Sequence, residues 1–78
     1  MNEVTTLAID LAKHVFQLHG VDSRGVPVLQ RQVRRGQLMA TIAQLPRCRV
    51  VMEACPGAHH WARQLRALGM LPRLIAGH

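Results

Sequence analysis

Apolar residues occur in short runs along the first half of this chain, at spacings typical of β-strands. Val4–Asp10 carries four apolar residues, three of them consecutive, which predicts a strand covered on both faces, or on most of both. His14–Asp22 follows as a second strand with alternating apolar positions. Asp22 first and Gly25 fourth are typical of a tight turn, so Val26–Arg35 should return as the third strand of a meander. Its charges indicate an edge strand protected against further pairing: Arg31, Arg34 and Arg35.

The second half changes to helical spacing, interrupted by one short strand. Apolar residues from Gly36 to Leu45 recur at helical intervals, and Pro46 ends the predicted helix. Arg49–Met52 is a short apolar strand that ends at Glu53. Ala58–Leu68 predicts a second helix, and Met70–Ala76 a last strand.

The resulting element order is β-β-β-α-β-α-β. Right-handed crossovers after the antiparallel meander lay the last two strands parallel to the first. Placing the fourth strand beside the first gives the sheet order 3-2-1-4-5, which is the ribonuclease-H-like mixed five-stranded α/β fold. The 78 residues are expected to form one domain, residues 1–78.

The composition indicates where in the cell the protein is expected and whether its cysteines are oxidised. No apolar run approaches the roughly 18 residues of a membrane helix, and the first residues lack the pattern of a signal peptide, so a cytoplasmic protein without membrane contact is expected. If the run between Cys48 and Cys55 is a strand, it separates them by roughly 23 Å. A disulfide needs Cα atoms within about 7 Å, so both cysteines should be free thiols.

The chain is strongly basic, with a net charge of +6. Arginine supplies nine of the ten basic residues, which favours phosphate contacts and a nucleic-acid partner. Arg63 and Arg66 form a stripe with His59 on the second helix, suited to a nucleic-acid backbone or to plain solvent exposure. Lys13 is a further candidate phosphate contact.

Two of the four acidic residues end predicted strands: Asp10 the first and Glu53 the fourth. If these strands are parallel neighbours about 4.8 Å apart, both carboxylates project from the same end of the sheet. Two carboxylates this close repel each other, and a hard divalent cation such as Mg²⁺ or Mn²⁺ removes that repulsion. The alternative is that both acids simply meet water where their strands end.

Two stretches, AIDLAKHVFQLHGVD and MEACPGAHHWARQLRALG, resemble the insertion-sequence-110 family of DEDD-type transposases. The resemblance is to their N-terminal domain, which is similar to Holliday-junction resolvases. It implies cutting and joining of DNA during transposition, in some members with a guide RNA, by a full-length protein that is a homo-oligomer.

In that family an aspartate on the first strand and a glutamate after the fourth belong to a four-carboxylate magnesium site, and they match Asp10 and Glu53. The resemblance places the other two aspartates beyond His78. Neither Asp22, in the hairpin turn, nor Glu3, before the first strand, stands in for them. The chain is therefore interpreted as a truncated catalytic domain.

The sequence leaves three other interpretations to compare. The first is a non-catalytic remnant or a weak nucleic-acid-binding module, which stays open beside the transposase interpretation. The second is an actin-like sugar kinase, disfavoured because the turn after Asp10 lacks the glycine and hydroxyl residue that cradle phosphate. The third is a zinc site formed by His59 and His60 with His14, His19 and the two cysteines. It is disfavoured because adjacent helical residues such as His59 and His60 point about 100° apart, whereas metal pairs on a helix prefer a spacing of i, i+4. Trp61 lies on the apolar stripe of its helix and is expected in the core.

Overall fold

The computed structural model describes residues 3–11 and 14–76. Five strands and two α-helices follow one another in the predicted order. Their bounds are β1 Thr6–Leu11, β2 Val15–Val21, β3 Pro27–Arg34, α1 Leu38–Ala43, β4 Arg49–Glu53, α2 Ala58–Ala67 and β5 Leu71–Ile75. A 3-10 turn, Arg35–Gln37, precedes α1, so the predicted helix from Gly36 begins in a tighter winding than expected.

The strands form one sheet in the order β3-β2-β1-β4-β5, which confirms the predicted topology. β1 lies at the centre, antiparallel to β2 and parallel to β4. β3 and β5 are the edges, as the arginines of β3 and the proline of β5 indicate. A mixed sheet of this order with two helices is ribonuclease-H-like.

The β2–β3 hairpin is held by the carboxylate of Asp22. Its Oδ1 accepts hydrogen bonds from the backbone N–H of Arg24 at 2.9 Å and of Val26 at 3.0 Å. Gly25 completes the turn with a φ of 79°, in the left-handed region that favours glycine. Asp22 is the buried acid among the described residues, which confirms its assignment to the turn.

One core lies between the sheet and the helices. The inner face of the sheet supplies Leu7, Ile9, Phe16, Leu18, Val50 and Met52, all buried. Leu38 and Ile42 of α1, with Trp61 and Leu65 of α2, belong to the same core cluster. Phe16 and Trp61 meet edge to face, with ring centroids 5.5 Å apart, so the predicted core position of Trp61 is confirmed.

The expectation that β1 is covered on both faces is wrong. Leu7 and Ile9 are buried, but Ala8 and Asp10, on the opposite face, are exposed. The reason is topological: β3–α1–β4 and β4–α2–β5 both cross the sheet in the same direction, and right-handed crossovers then place both helices on one side. The other side, called here the outer face, carries no layer formed by the described residues.

Both cysteines are free, as predicted. Cys48 is buried and Cys55 is half-buried, and burial raises the pKa of the Cys48 thiol. None of the helices within residues 3–11 and 14–76 has the length and apolar character needed to cross a membrane.

Candidate metal and nucleic-acid site

The pairing of β1 with β4 determines where the two candidate carboxylates lie. The parallel register runs from Thr6 opposite Arg49 to Ile9 opposite Met52, and Asp10 and Glu53 are the next residue on each strand. Because Ile9 and Met52 are buried in the core, Asp10 and Glu53 project from the outer face. Adjacent strands are about 4.8 Å apart, so the two carboxylates are neighbours on one surface.

Both carboxylates are exposed to solvent. Oxygen ligands of this kind suit Mg²⁺ or Mn²⁺, and two neighbouring carboxylates fit part of the coordination shell of such an ion. Within residues 3–11 and 14–76, no group of three or more histidine, cysteine, aspartate or glutamate side chains comes together to hold a metal. The arrangement is therefore a pair of exposed carboxylates at the carboxyl ends of two neighbouring strands.

Polar residues continue the row of Asp10 across the sheet. Asp10 is paired with Gln17 of β2, and Gln17 is paired with Gln32 of β3. The Gln17 Nε2 donates to the Gln32 Oε1 at 2.8 Å. Arg34, paired with Val15, follows on the same face one row further along. The outer face thus presents amide dipoles and one guanidinium on one side of the carboxylates.

Arg34 is a candidate phosphate contact that the sequence analysis missed. The sequence alone explains its charge by edge protection of β3. The alternation of side chains along β3 could have indicated this position. Val33 is buried, so the next residue, Arg34, must project from the opposite face of the sheet. Only the register from β3 through β2 to β1 shows that this other face also carries Asp10.

The predicted basic stripe lies in the other layer of the molecule. α2 packs on the inner face through Ala58, Trp61, Ala62 and Leu65, whereas Arg63, Arg66 and His59 are exposed. The structure therefore does not bring Arg63 and Arg66 to the carboxylate face. The third predicted phosphate contact, Lys13, lies outside the described residues.

A cleft of about 290 Å³ opens beside the carboxyl ends of β1 and β4, on the helix side of the sheet. Its lining residues are Leu11, Phe16, Arg35, Cys55, Pro56, Gly57 and Trp61. The Arg35 guanidinium lies 5.3 Å from the centroid of the Trp61 ring, a cation–π contact that orients a positive charge at the cleft. For Arg35, as for Arg34, the sequence alone indicates only edge protection of the sheet.

The two adjacent histidines do not act together. The ring of His60 contacts Trp61 at 5.1 Å between centroids, and its Nε2 lies 2.8 Å from the Gln64 Nε2 in a hydrogen bond. His59, next to it, belongs to the exposed surface of α2. The packing of His60 is therefore local to its own helix.

The fold and the paired carboxylates define a class of protein: a ribonuclease-H-like sheet with two acids at the carboxyl ends of adjacent parallel strands. No family model matches the chain, and no solved structure matches it. Curated proteins do match this chain in sequence, and those that match are all named as transposases.

A probable family 20 transposase of Pseudomonas aeruginosa is 52% identical over 73 residues, covering 94% of this chain and 22% of that protein. The transposase for insertion sequence element IS1111A of Coxiella burnetii is 43% identical over 76 residues, covering 97% of this chain and 21% of that protein. The transposase for insertion sequence element IS1328 of Yersinia enterocolitica is 40% identical over 76 residues, covering 97% of this chain and 23% of that protein.

Along nearly its whole length, this chain is thus similar to one portion of insertion-sequence transposases. The resemblance to a transposase fragment that the sequence predicts is confirmed. The chain spans about a fifth of the length of the curated relatives it matches.

Proposed function

We propose that this chain is the N-terminal part of a DEDD-type transposase catalytic domain, of the insertion-sequence-110 type, and that Asp10 and Glu53 are two of four metal-binding carboxylates. The observation that carries the proposal is the placement of both acids on the outer face, at the ends of adjacent parallel strands. The similarity to transposases supplies the reaction class: cleavage and joining of DNA strands.

Asp10 and Glu53 hold and orient a Mg²⁺ or Mn²⁺ ion in this proposal, and the rigid β1–β4 pair fixes the spacing of their oxygens. When bound, such an ion stabilises the charge that develops on the phosphodiester oxygens and lowers the pKa of attacking water. The arginines of the chain bind the backbone of the DNA substrate. Cytoplasmic placement, a guide RNA and a homo-oligomeric full-length protein complete the functional hypothesis.

Metal binding is tested by titrating Mn²⁺ and following line broadening by NMR. We expect weak binding, because only half of the ligand set is present, with broadening centred on the ends of β1 and β4. Asp10→Asn should remove the focus, whereas Glu3→Gln, which neutralises another exposed carboxylate, should leave it. Broadening spread evenly over all acids would contradict the proposed site.

The isolated chain is not expected to cleave DNA, because two-metal chemistry needs carboxylates that hold and space both ions. A nuclease assay with the pure 78-residue chain in Mg²⁺ tests this. Cleavage that Asp10→Ala abolishes would show that the pair suffices. A chain with neither cleavage nor metal affinity would favour the alternative, a non-catalytic remnant.

The net charge of +6 supports weak, sequence-independent binding to DNA, with phosphate contacts from Lys13, Arg63 and Arg66. Three or four contacts give a slope of about −3 in log K against log salt, with dissociation constants of roughly 10⁻⁴ to 10⁻⁶ M. Little base preference is expected, because phosphate contacts carry no sequence information.

Fluorescence anisotropy with a labelled DNA duplex, and with an RNA of the same sequence, measures this slope. Arg63→Ala with Arg66→Ala should flatten it by about 2, since each lost phosphate contact removes about 0.9. The matched control is Arg24→Ala with Arg31→Ala, which removes the same charge from exposed positions of the hairpin. Equal effects of the two pairs would attribute binding to net charge alone.

A further inference from the structure

The cleft on the helix side of the sheet lies close to both carboxylates, although the carboxylates project from the outer face. Leu11 lines the cleft and directly follows Asp10 on β1. Cys55 also lines it and is the second residue after Glu53, the last residue of β4. Two residues of extended chain span at most about 7 Å. The cleft and the carboxylates therefore lie on the two sides of one sheet edge, the edge at which α/β sheets bind ligands.

The Arg35 guanidinium stands at this cleft as a positioned group. Its central carbon lies 5.3 Å from the centroid of the Trp61 ring. The ring is held in turn by Phe16, which meets it edge to face at 5.5 Å between centroids. The backbone N–H of Arg35 donates to the carbonyl oxygen of His14 at 3.3 Å, which fixes the start of the 3-10 turn. Because Arg35 is exposed, its guanidinium is accessible to a ligand in the cleft.

The charge of Arg35 is complementary to an anionic ligand that carries a flat ring. None of the described residues that line the cleft is acidic. Asp10 and Glu53 project from the outer face, and Asp22 accepts its hydrogen bonds in the turn at the other end of β2. Most of the lining is apolar or aromatic, as is usual for small-molecule sites. The cleft thus combines a positive charge with apolar walls.

We propose that the cleft binds the base of one unpaired nucleotide of the DNA strand that reaches Asp10 and Glu53, and that this base stacks on Arg35. The inference rests on the proposed function, because the carboxylates bring the strand to this edge of the sheet. Proteins that bind single strands stack bases on aromatic rings and on guanidinium planes. The cleft volume of about 290 Å³ is at the lower end for a ligand pocket, which suits one base with its sugar.

A base in the cleft sets which phosphate of the strand lies at the carboxylates. A base inside a duplex must first unpair and unstack, which costs free energy, so the cleft favours a single strand over a duplex. Stacking accepts any of the four bases, because every base has a π-face. The cleft therefore positions a strand without reading its sequence, and Arg35 is a binding residue for the base rather than a further phosphate contact.

Alkylation of Cys55 by iodoacetamide measures whether the cleft is occupied, because this half-buried thiol lines it. The full chain is used at pH 8 with EDTA, so the result does not depend on the proposed metal site. The probes are a short single strand of DNA and a strand of equal length made entirely of abasic units, which keeps the phosphates and lacks the bases. At about 1 mM, above the expected dissociation constants of roughly 10⁻⁴ to 10⁻⁶ M, the intact strand should slow the alkylation at least about fivefold. The abasic strand should leave the rate nearly unchanged.

Variants of Arg35 separate stacking from charge. By fluorescence anisotropy, the parent chain should bind the intact strand at least about fivefold more tightly than the abasic strand, the smaller end of what stacking of one base contributes. Arg35→Gln and Arg35→Lys should both abolish most of this preference, because lysine keeps the charge but lacks the planar guanidinium. Arg24→Gln is the matched control: it removes one exposed arginine from the hairpin turn and should weaken both strands alike. Circular dichroism confirms that each variant is folded.

The possible failures of this proposal are distinguishable from failure of the proposed function. Binding of both strands with equal affinity, or binding of the intact strand without protection of Cys55, would overturn the base site and leave the carboxylate site standing. A preference for the intact strand that Arg35→Lys retains would contradict stacking on the guanidinium. A chain that binds neither strand would also overturn the base site, and the Mn²⁺ titration, which contains no DNA, then tests Asp10 and Glu53 separately.

Discussion

Of the acidic residues, Asp22 should contribute most to the free energy of unfolding. The size of its contribution follows from its hydrogen bonds in the β2–β3 hairpin. Asp22→Ala removes an acceptor that holds two backbone N–H groups at 2.9 and 3.0 Å. Hydrogen bonds to charged groups contribute about 1.5–3 kcal/mol each. Ser23, Arg24 and Gly25 are exposed, so water compensates part of the loss, and a total of about 2 kcal/mol is expected.

This loss is large for so small a protein. At about 0.05–0.15 kcal/mol per residue, 78 residues supply roughly 4–12 kcal/mol of unfolding free energy. With an m-value of about 1 kcal/mol/M, the urea midpoint should fall by about 2 M. Trp61 is the single tryptophan, and its buried ring makes intrinsic fluorescence a direct reading of the core.

Two further variants separate the causes. Asp22→Asn keeps one side-chain oxygen as an acceptor and should lose about half as much stability. Asp10→Ala, at an exposed position of the outer face, should change the unfolding free energy by no more than about 0.5 kcal/mol. A midpoint for Asp22→Ala within about 0.5 M of the parent, the size of a typical surface substitution at this m-value, would refute the role of the carboxylate.

The remaining predictions concern the core. At pH 8, iodoacetamide should modify Cys55 much faster than Cys48, because Cys48 is buried and its raised pKa leaves less thiolate. Mass spectrometry measures the two modification rates, and equal rates would contradict this prediction. Leu65→Ala, at a fully buried position, should cost about 2–5 kcal/mol and lower the melting temperature by at least about 8 °C, measured by Trp61 fluorescence. Leu71→Ala is its control, because that leucine is 66% exposed; similar losses for the two variants would refute the assignment of the core.

The sequence by itself determined the element types and, through them, the topology. Alternation in β2, helical spacing in α2 and the Asp22–Gly25 turn are local signals, because each depends on backbone geometry within a few residues. Once the elements were known, handedness and strand pairing left the order 3-2-1-4-5. The same reasoning brought Asp10 and Glu53 to one end of the sheet, since parallel neighbours end at the same edge.

The tertiary structure alone decided which surfaces these residues share. The apolar run of β1 predicted cover on both faces, but a run of side chains does not encode whether the chain supplies a second layer, and here both crossovers lie on one side. Arg63 and Arg66 form a local stripe in the sequence, yet the packing of α2 turns that stripe away from the carboxylates. Arg34 joins the carboxylate face only through the register of three strands, and register depends on contacts between residues far apart in the chain.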